Sequence, residues 1–245
     1  MGDDPKAVHT NLRIAAEPLG VSHDAVLLLN QVHGVHVHVV EPTSHPAHAA
    51  RIAGDAIASR HGSVACGVRV ADCAPVLIGD RRSGAVVAVH SGWRGTEQNI
   101  VAHAVDSLRA LAGGACECVA AIGPHIELCC FEVGHDVAGA LQAIAPVPAV
   151  LLPGKGQRPH VDLRKILQGQ LEAAGVAADQ IDHVRGCTVC DGGRFFSYRR
   201  DGKRTGRLLA AIVPRGLNAV APPSRGIPFG SRGAAGQGAS AGTSP

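Results

Sequence analysis

Val70-Ala71-Asp72-Cys73-Ala74-Pro75, read together with Val86-Val87-Ala88-Val89-His90-Ser91-Gly92-Trp93-Arg94-Gly95, is the stretch that decides the fold. Two apolar runs flank the polar turn Asp80-Arg81-Arg82-Ser83-Gly84, the pattern of a hairpin whose strands lie inside a sheet. Chemistry stands at its open ends: a thiol at Cys73, an imidazole at His90, an indole at Trp93 and a guanidinium at Arg94. Loops at strand ends are where a rigid scaffold presents reactive side chains, so these residues mark a candidate site.

Upstream, 5–16 has loose helical spacing, and Ala25-Val26-Leu27-Leu28-Leu29-Asn30 is a continuous apolar run expected to form a buried strand. It leads through Gln31-Val32-His33-Gly34 into Val35-His36-Val37-His38-Val39-Val40, whose period of two puts His36 and His38 on one strand face, read as solvent-facing. His33 differs, because it occupies the turn between two strands beside a glycine that permits close backbone approach. Residues 42–50 read as a Pro/His/Ala loop, and 63–70 as the strand that enters the Asp72-Cys73 corner.

Downstream, Thr96 is the expected cap of a helix with its apolar stripe at Ile100, Val101, Ala104, Val105, Leu108 and Leu111, closed by Gly113-Gly114. A strand over 118–122 and a helix with Val137, Leu141 and Ile144 inward follow. A Pro/Gly-rich crossing over 146–159 precedes a helix capped by Asp162, a strand over 181–185 and a last strand over 208–213 that closes the sheet. Strands alternating with helices predict an α/β domain over 1–213. From 214 to 245 the chain is Gly, Ala, Ser, Pro and Arg with almost no periodic apolar residues, and is expected to be a disordered tail.

At 245 residues with 2% aromatics, the chain must build its core from Ala, Val, Leu and Ile. Trp93, Phe131, Phe195, Phe196 and Tyr198 fall in or beside the chemistry-bearing stretches, which suggests pockets. A net charge of +3 spread along the chain argues against nucleic-acid binding. With no run of about 18 apolar residues and an acidic Met1-Gly2-Asp3-Asp4 start, neither a membrane span nor a signal peptide is expected, and the cytoplasm is the expected location.

In a reducing compartment the eight cysteines are expected to be metal-binding, catalytic or buried thiols. His33, Cys73 and His90 make a borderline-soft set that suits Zn²⁺ with a fourth position left open. The same atoms also allow a nucleophilic dyad in which His90 activates Cys73. Copper fits less well: a blue-copper site needs an axial ligand, the only Met is Met1, and a multicopper cluster needs several His-x-His pairs where this chain has one. Arg94, in a loop feeding a helix, is placed to receive an anion. The single CxxC at Cys187 and Cys190 has no second CxxC, which argues against a four-cysteine zinc site. Of the adjacent Cys129 and Cys130, at least one is expected to be a core thiol.

Taken together, Asn30-Gln31-Val32-His33-Gly34, Ala71-Asp72-Cys73-Ala74-Pro75-Val76, Val89-His90-Ser91-Gly92-Trp93-Arg94-Gly95, Ile122-Gly123-Pro124, Phe131-Glu132-Val133-Gly134 and the segment 187–207 with Phe195-Phe196-Ser197-Tyr198-Arg199-Arg200 resemble the laccase-domain family. Members of that family are called polyphenol oxidase, peptidoglycan editing factor or purine nucleoside phosphorylase. The resemblance implies a single-domain mixed-sheet α/β sandwich flanked by helices, similar to a cysteine-hydrolase-like fold. It implies zinc, with copper as the alternative, held at His33, Cys73 and His90, and phosphorolysis of purine nucleosides with adenosine deamination beside it. Cys73, His90 and Asp72 are then the expected catalytic residues. Arg94, Gln31, Phe195, Phe196 and Tyr198 are expected to bind nucleoside and phosphate, in a monomer or homodimer. A thiol hydrolase acting on peptidoglycan precursors is the alternative. Family members usually carry a further segment before the Gly-Asp-Asp that here stands at residues 2–4, so this chain reads as N-terminally shortened.

Overall fold

The computed structural model describes residues 4–41, 44–145, 147–151 and 157–215. The expected tail, from residue 216 onward, lies outside the described residues. In chain order the elements are α1 (Pro5–Ala16), β1 (Val26–Leu28), β2 (Val37–Val39), α2 (Pro46–Ala49), β3 (Ala56–Ser59), β4 (Ala65–Val70), β5 (Ala74–Asp80), β6 (Val86–Ser91), α3 (Trp93–Glu97), α4 (Ile100–Ala112), β7 (Cys118–Ile122), α5 (His135–Ile144), β8 (Val150–Leu151), β9 (His160–Val161), α6 (Leu163–Ala173), β10 (Ile181–His183), α7 (Tyr198–Asp201) and β11 (Leu208–Ile212).

The hairpin β5–β6 lies at the centre of a six-stranded sheet of order β10-β7-β5-β6-β3-β2. Its neighbours β7 and β3 pair antiparallel, while the outer strands β10 and β2 pair parallel. Period-two alternation sorts the side chains: Ala56, Ala58, Val76, Ile78, Val87 and Val89 face one way, with Ile57, Leu77, Val86 and Ala88 facing the other. The first set packs under Ile100, Val101, Ala104, Val105 and Leu108 of α4 and Leu167 and Leu171 of α6. The second packs on Leu27, Leu29, Cys66, Val68, Ala210 and Ile212. These come mainly from a separate three-stranded sheet, β1-β4-β11. The mixed sandwich thus has three layers, small sheet, large sheet and helices. The Ala-rich strands let these layers approach closely, which is why so few aromatics suffice.

Several local expectations are corrected. β11 extends the small sheet by pairing with β4 and does not close the large one. Thr96 does not cap α4: it lies inside the short α3, where its hydroxyl donates to the Gly92 carbonyl (3.0 Å), and α4 is capped by Asn99 at φ 56°, accepting from Ala102 N–H. Ile144 is 38% exposed, and Ala138 with Leu141 forms the inner face of α5. The Pro/His/Ala loop contains α2, and the Pro/Gly-rich crossing contains β8, which pairs antiparallel with β9 just beyond it. Asp162 caps α6 as expected, accepting from Lys165 N–H at 3.1 Å.

Candidate active site

The antiparallel register of β5 and β6 places Pro75 opposite His90 and Ala74 opposite Ser91. Cys73, one residue before β5, therefore emerges beside the end of β6 at one edge of the hairpin. His33 reaches the same point from the β1–β2 connection in a left-handed conformation (φ 61°), and Asp72 also has positive φ (93°), a turn that lets the chain present Cys73. The three ligand atoms lie within 4.8 Å of one another, with His33 Nε2 at 3.8 Å from Cys73 Sγ.

What holds them is Asp55, a residue that no motif in the sequence singles out. Its side chain is fully buried ahead of β3 and accepts from the backbone N–H groups of Val32 (3.1 Å), His33 (2.9 Å) and Gly34 (2.7 Å), and from Nδ1 of His90 (2.7 Å). One carboxylate thus fixes both the loop that carries His33 and the ring of His90. The clue available in the sequence was a lone carboxylate after a glycine at the head of the apolar run Ala56-Ile57-Ala58, where only a satisfied charge can be tolerated.

The electrostatics follow from this packing. Burial opposes ionisation of Asp55, but the hydrogen bonds from His90, Gly34 and His33 outweigh it and hold the carboxyl below its usual range. Burial disfavours charge on His90, yet Asp55 and Cys73 raise its pKa to about 9. Burial likewise pushes the Cys73 thiol up, and hydrogen bonds from His33 and His90 reverse this to about 7. Cys73 is therefore poised to be a thiolate near neutral pH.

The donor set fits a metal ion. With Nδ1–H of His90 given to Asp55, release of the Nε2 proton to solvent on metal binding frees that lone pair for a ligand, the carboxylate–histidine arrangement that supports bound metals. Two imidazoles and a thiolate leave room for a fourth partner. Gly92 contributes by having no side chain, since a Cβ there would stand 3.0 Å from His33 Cδ2 and 3.1 Å from Cys73 Sγ.

The remaining expected residues divide by position. Both carboxylate oxygens of Asp72 are engaged, one by the Thr188 hydroxyl and one by the Arg199 backbone N–H, each at 2.6 Å, tying the Cys73 corner to the 187–199 loop. Gln31 spends its amide on the backbone of Arg69, donating to its carbonyl and accepting from its N–H, both at 2.8 Å, which prolongs the β1–β4 pairing. Arg94 is exposed and lies 4.4 Å over the Trp93 ring. Phe195 is buried and lines an apolar cleft of about 310 Å³ with Val70, Pro75, Leu77, Leu208 and Leu209. Phe196 packs onto Gly206, where a Cβ would meet its ring at 2.8 Å. Tyr198 is 48% exposed at the start of α7.

A second thiol group was not foreseen. Cys129 and Cys130, in the turn after β7, meet Cys187 and Cys190, in the loop after β10, with all four sulfurs within 4.8 Å of one another. Four thiols thus meet although the sequence holds a single CxxC, the second pair being the adjacent Cys129 and Cys130. Of the adjacent pair, Cys129 is exposed, whereas Cys130 is half-buried against the core cluster that includes Phe131, Leu141 and Ile166.

Comparison with known proteins agrees with this architecture. Purine nucleoside phosphorylase of Deinococcus radiodurans is 37% identical over 215 residues, covering 87% of this chain and 80% of that protein. Adenosine deaminase RL5, from an unknown prokaryotic organism, is 33% identical over 220 residues, covering 86% and 84%. Among solved structures, YlmD from Geobacillus stearothermophilus superposes with a TM-score of 0.80 at 32% identity, covering 87% of this chain and 82% of that one. YfiH from Bacillus licheniformis gives 0.77 at 27% identity, covering 86% and 82%. The profile described as multi-copper polyphenol oxidoreductase laccase matches residues 1–215, through β11, and it is to this laccase-domain family that the chain belongs.

Proposed function

We propose that this protein is a zinc-dependent purine nucleoside phosphorylase, converting adenosine, inosine or methylthioadenosine and phosphate to free base and the ribose 1-phosphate, with adenosine deamination as a side activity. The observation that carries the reading is the open His33–Cys73–His90 donor set braced by buried Asp55, in a chain whose relatives include proteins named for these two activities. When bound at these three residues, zinc supplies Lewis-acid polarisation of a substrate oxygen.

The chain's own groups account for binding and orientation. Arg94, exposed and stacked on Trp93, offers a planar cation for phosphate. Tyr198 has the exposure needed to stack on a purine, whereas Phe195 is buried in the apolar cleft and Phe196 is packed on Gly206. Asp72 acts as a positioning residue, its oxygens being committed to Thr188 and Arg199, and Gln31 holds the strand that leads to His33. On this reading the protein acts in the cytoplasm, on nucleoside and phosphate, as a monomer or homodimer. Copper is the weaker fit, since no methionine other than Met1 exists to complete a blue-copper site.

The test is elemental analysis of the purified protein together with adenosine turnover, with and without phosphate. Zinc near one equivalent at this site and adenine release that requires phosphate are expected; zinc-loaded protein that releases no base from any of the three nucleosides overturns the reading. A second reading, a thiol hydrolase, draws on the series Cys73, His90 and Asp55, which matches nucleophile, base and orienting carboxylate. It requires metal-free protein to hydrolyse an amide of a peptidoglycan precursor and to be inactivated by iodoacetamide.

A further inference from the structure

We propose that Cys129, Cys130, Cys187 and Cys190 form a second metal centre, a closed tetrathiolate site for Zn²⁺ that clamps the 124–131 loop to the 187–199 loop. A zinc ion bound by four thiolates at about 2.3 Å sets neighbouring sulfurs about 3.8 Å apart. Here Cys130 Sγ lies 3.3 Å and Cys129 Sγ 3.6 Å from Cys190 Sγ, and every pair is within 4.8 Å. The cluster is preorganised by backbone. Cys130 and Phe131 N–H groups both bond to the Glu127 carbonyl, forming a turn that sends two adjacent thiols the same way, which neither a helix nor a strand allows. Across from it, the Asp191 N–H bonds to the Cys187 carbonyl at 3.1 Å, closing the turn that carries Cys187 and Cys190. His125 pairs with Cys187 as an isolated bridge, and Thr188 N–H donates to the His125 carbonyl at 3.1 Å, so the two loops already run side by side.

A redox pair is a poorer account of this arrangement. A disulfide consumes two sulfurs and leaves two thiols stranded beside it, whereas a tetrahedral cation uses all four and releases their protons to solvent on binding. The placement also gives the cluster a purpose. The loop that it fixes supplies Thr188 and Arg199, whose hydroxyl and N–H hold Asp72 next to Cys73, and Arg199 also donates to the Cys130 carbonyl at 3.2 Å. The second metal is thus a structural brace for one wall of the first site, with no open coordination position of its own.

The experiment is metal counting on the full-length protein, purified under reducing conditions, in wild-type, His90→Ala and Cys190→Ser forms. The expected result is two zinc equivalents in wild type and one in each variant. In the Cys190→Ser protein the remaining metal would sit with two imidazoles and one thiolate. Cobalt substitution of His90→Ala should give the strong sulfur-to-cobalt absorption of a tetrathiolate, and it supplies the decisive reading if Cys190→Ser proves insoluble. A single equivalent lost entirely in His90→Ala overturns this proposal while sparing the phosphorylase reading. Two equivalents retained in Cys190→Ser, weak thiolate absorption in cobalt-loaded His90→Ala, or a Cys130–Cys190 disulfide in the reduced-purified protein also overturns it. A loss confined to Cys190→Ser, with His90→Ala keeping the wild-type content, would instead count against the first site.

Discussion

The chain carries two ligand clusters of contrasting construction. His33, Cys73 and His90 come from the ends of strands in the large sheet and from one strained loop, and are held by a fully buried carboxylate. Cys129, Cys130, Cys187 and Cys190 come from turns at the surface and are held by backbone hydrogen bonds. The first has mixed donors and an incomplete shell, the second four identical donors and a complete one. An open mixed shell suits chemistry and a closed thiolate shell suits bracing, so on the two proposals above one fold divides the two tasks between its rigid core and its loops.

The sharpest way to break that division is His90→Ala. We expect loss of one zinc equivalent and of all phosphate-dependent base release, with the cysteine cluster retaining its metal; turnover persisting in protein emptied at the first site would remove zinc from the chemistry. Smaller in effect is Asp55→Asn. The amide cannot accept from three backbone N–H groups and His90 as the carboxylate does, so zinc affinity at the first site should fall about 10–100-fold. Competition with a chromophoric chelator measures it, and unchanged affinity would mean that Asp55 braces the loop only.

The smallest effect is expected far from both centres. Asp80, 3% exposed at the other end of β5 and roughly 20 Å from Cys73, accepts from the N–H and hydroxyl of Ser83 and from Glu117 N–H. Burial raises its pKa, but the bonds from Ser83 and Glu117 prevail and hold it below the ordinary carboxylate value. A carboxyl depressed in the folded state stabilises above its unfolded pKa, about 4, and that contribution is lost as pH falls through the folded value. Asp80→Asn should cost about 1–3 kcal/mol at pH 7 in urea unfolding. The gap should narrow below pH 4, with both metal equivalents unchanged at neutral pH; a gap independent of pH would show that the charge of Asp80 is immaterial.

The hairpin, most strands and the α4 stripe were legible because burial on a sheet or helix face imposes period two or 3.6 on local residues. His33, Cys73 and His90 were legible because reactive side chains at strand ends stand out in an Ala/Val background. Asp55 was not, since its role depends on three N–H groups more than twenty residues upstream and on a ring 35 residues downstream. The cap at Asn99 was missed because a left-handed break between α3 and α4 has no distinct local pattern. The assignment of β11 to the small sheet was missed because strand pairing is chosen by long-range packing.

The four-thiol cluster states the same lesson most plainly. A sequence read for spacing finds one CxxC and one adjacent pair, 57 residues apart between Cys130 and Cys187, and no local rule joins them. The sequence by itself determined the α/β class, the apolar layers and the three-residue donor set, because each is written in the periodicity or chemistry of short segments. Tertiary packing alone settled which carboxylate braces that set, through β3 pairing with β6, and that two loops bring four sulfurs together, through β7 and β10 lying side by side, pairings whose favourable energy is shared by the whole core.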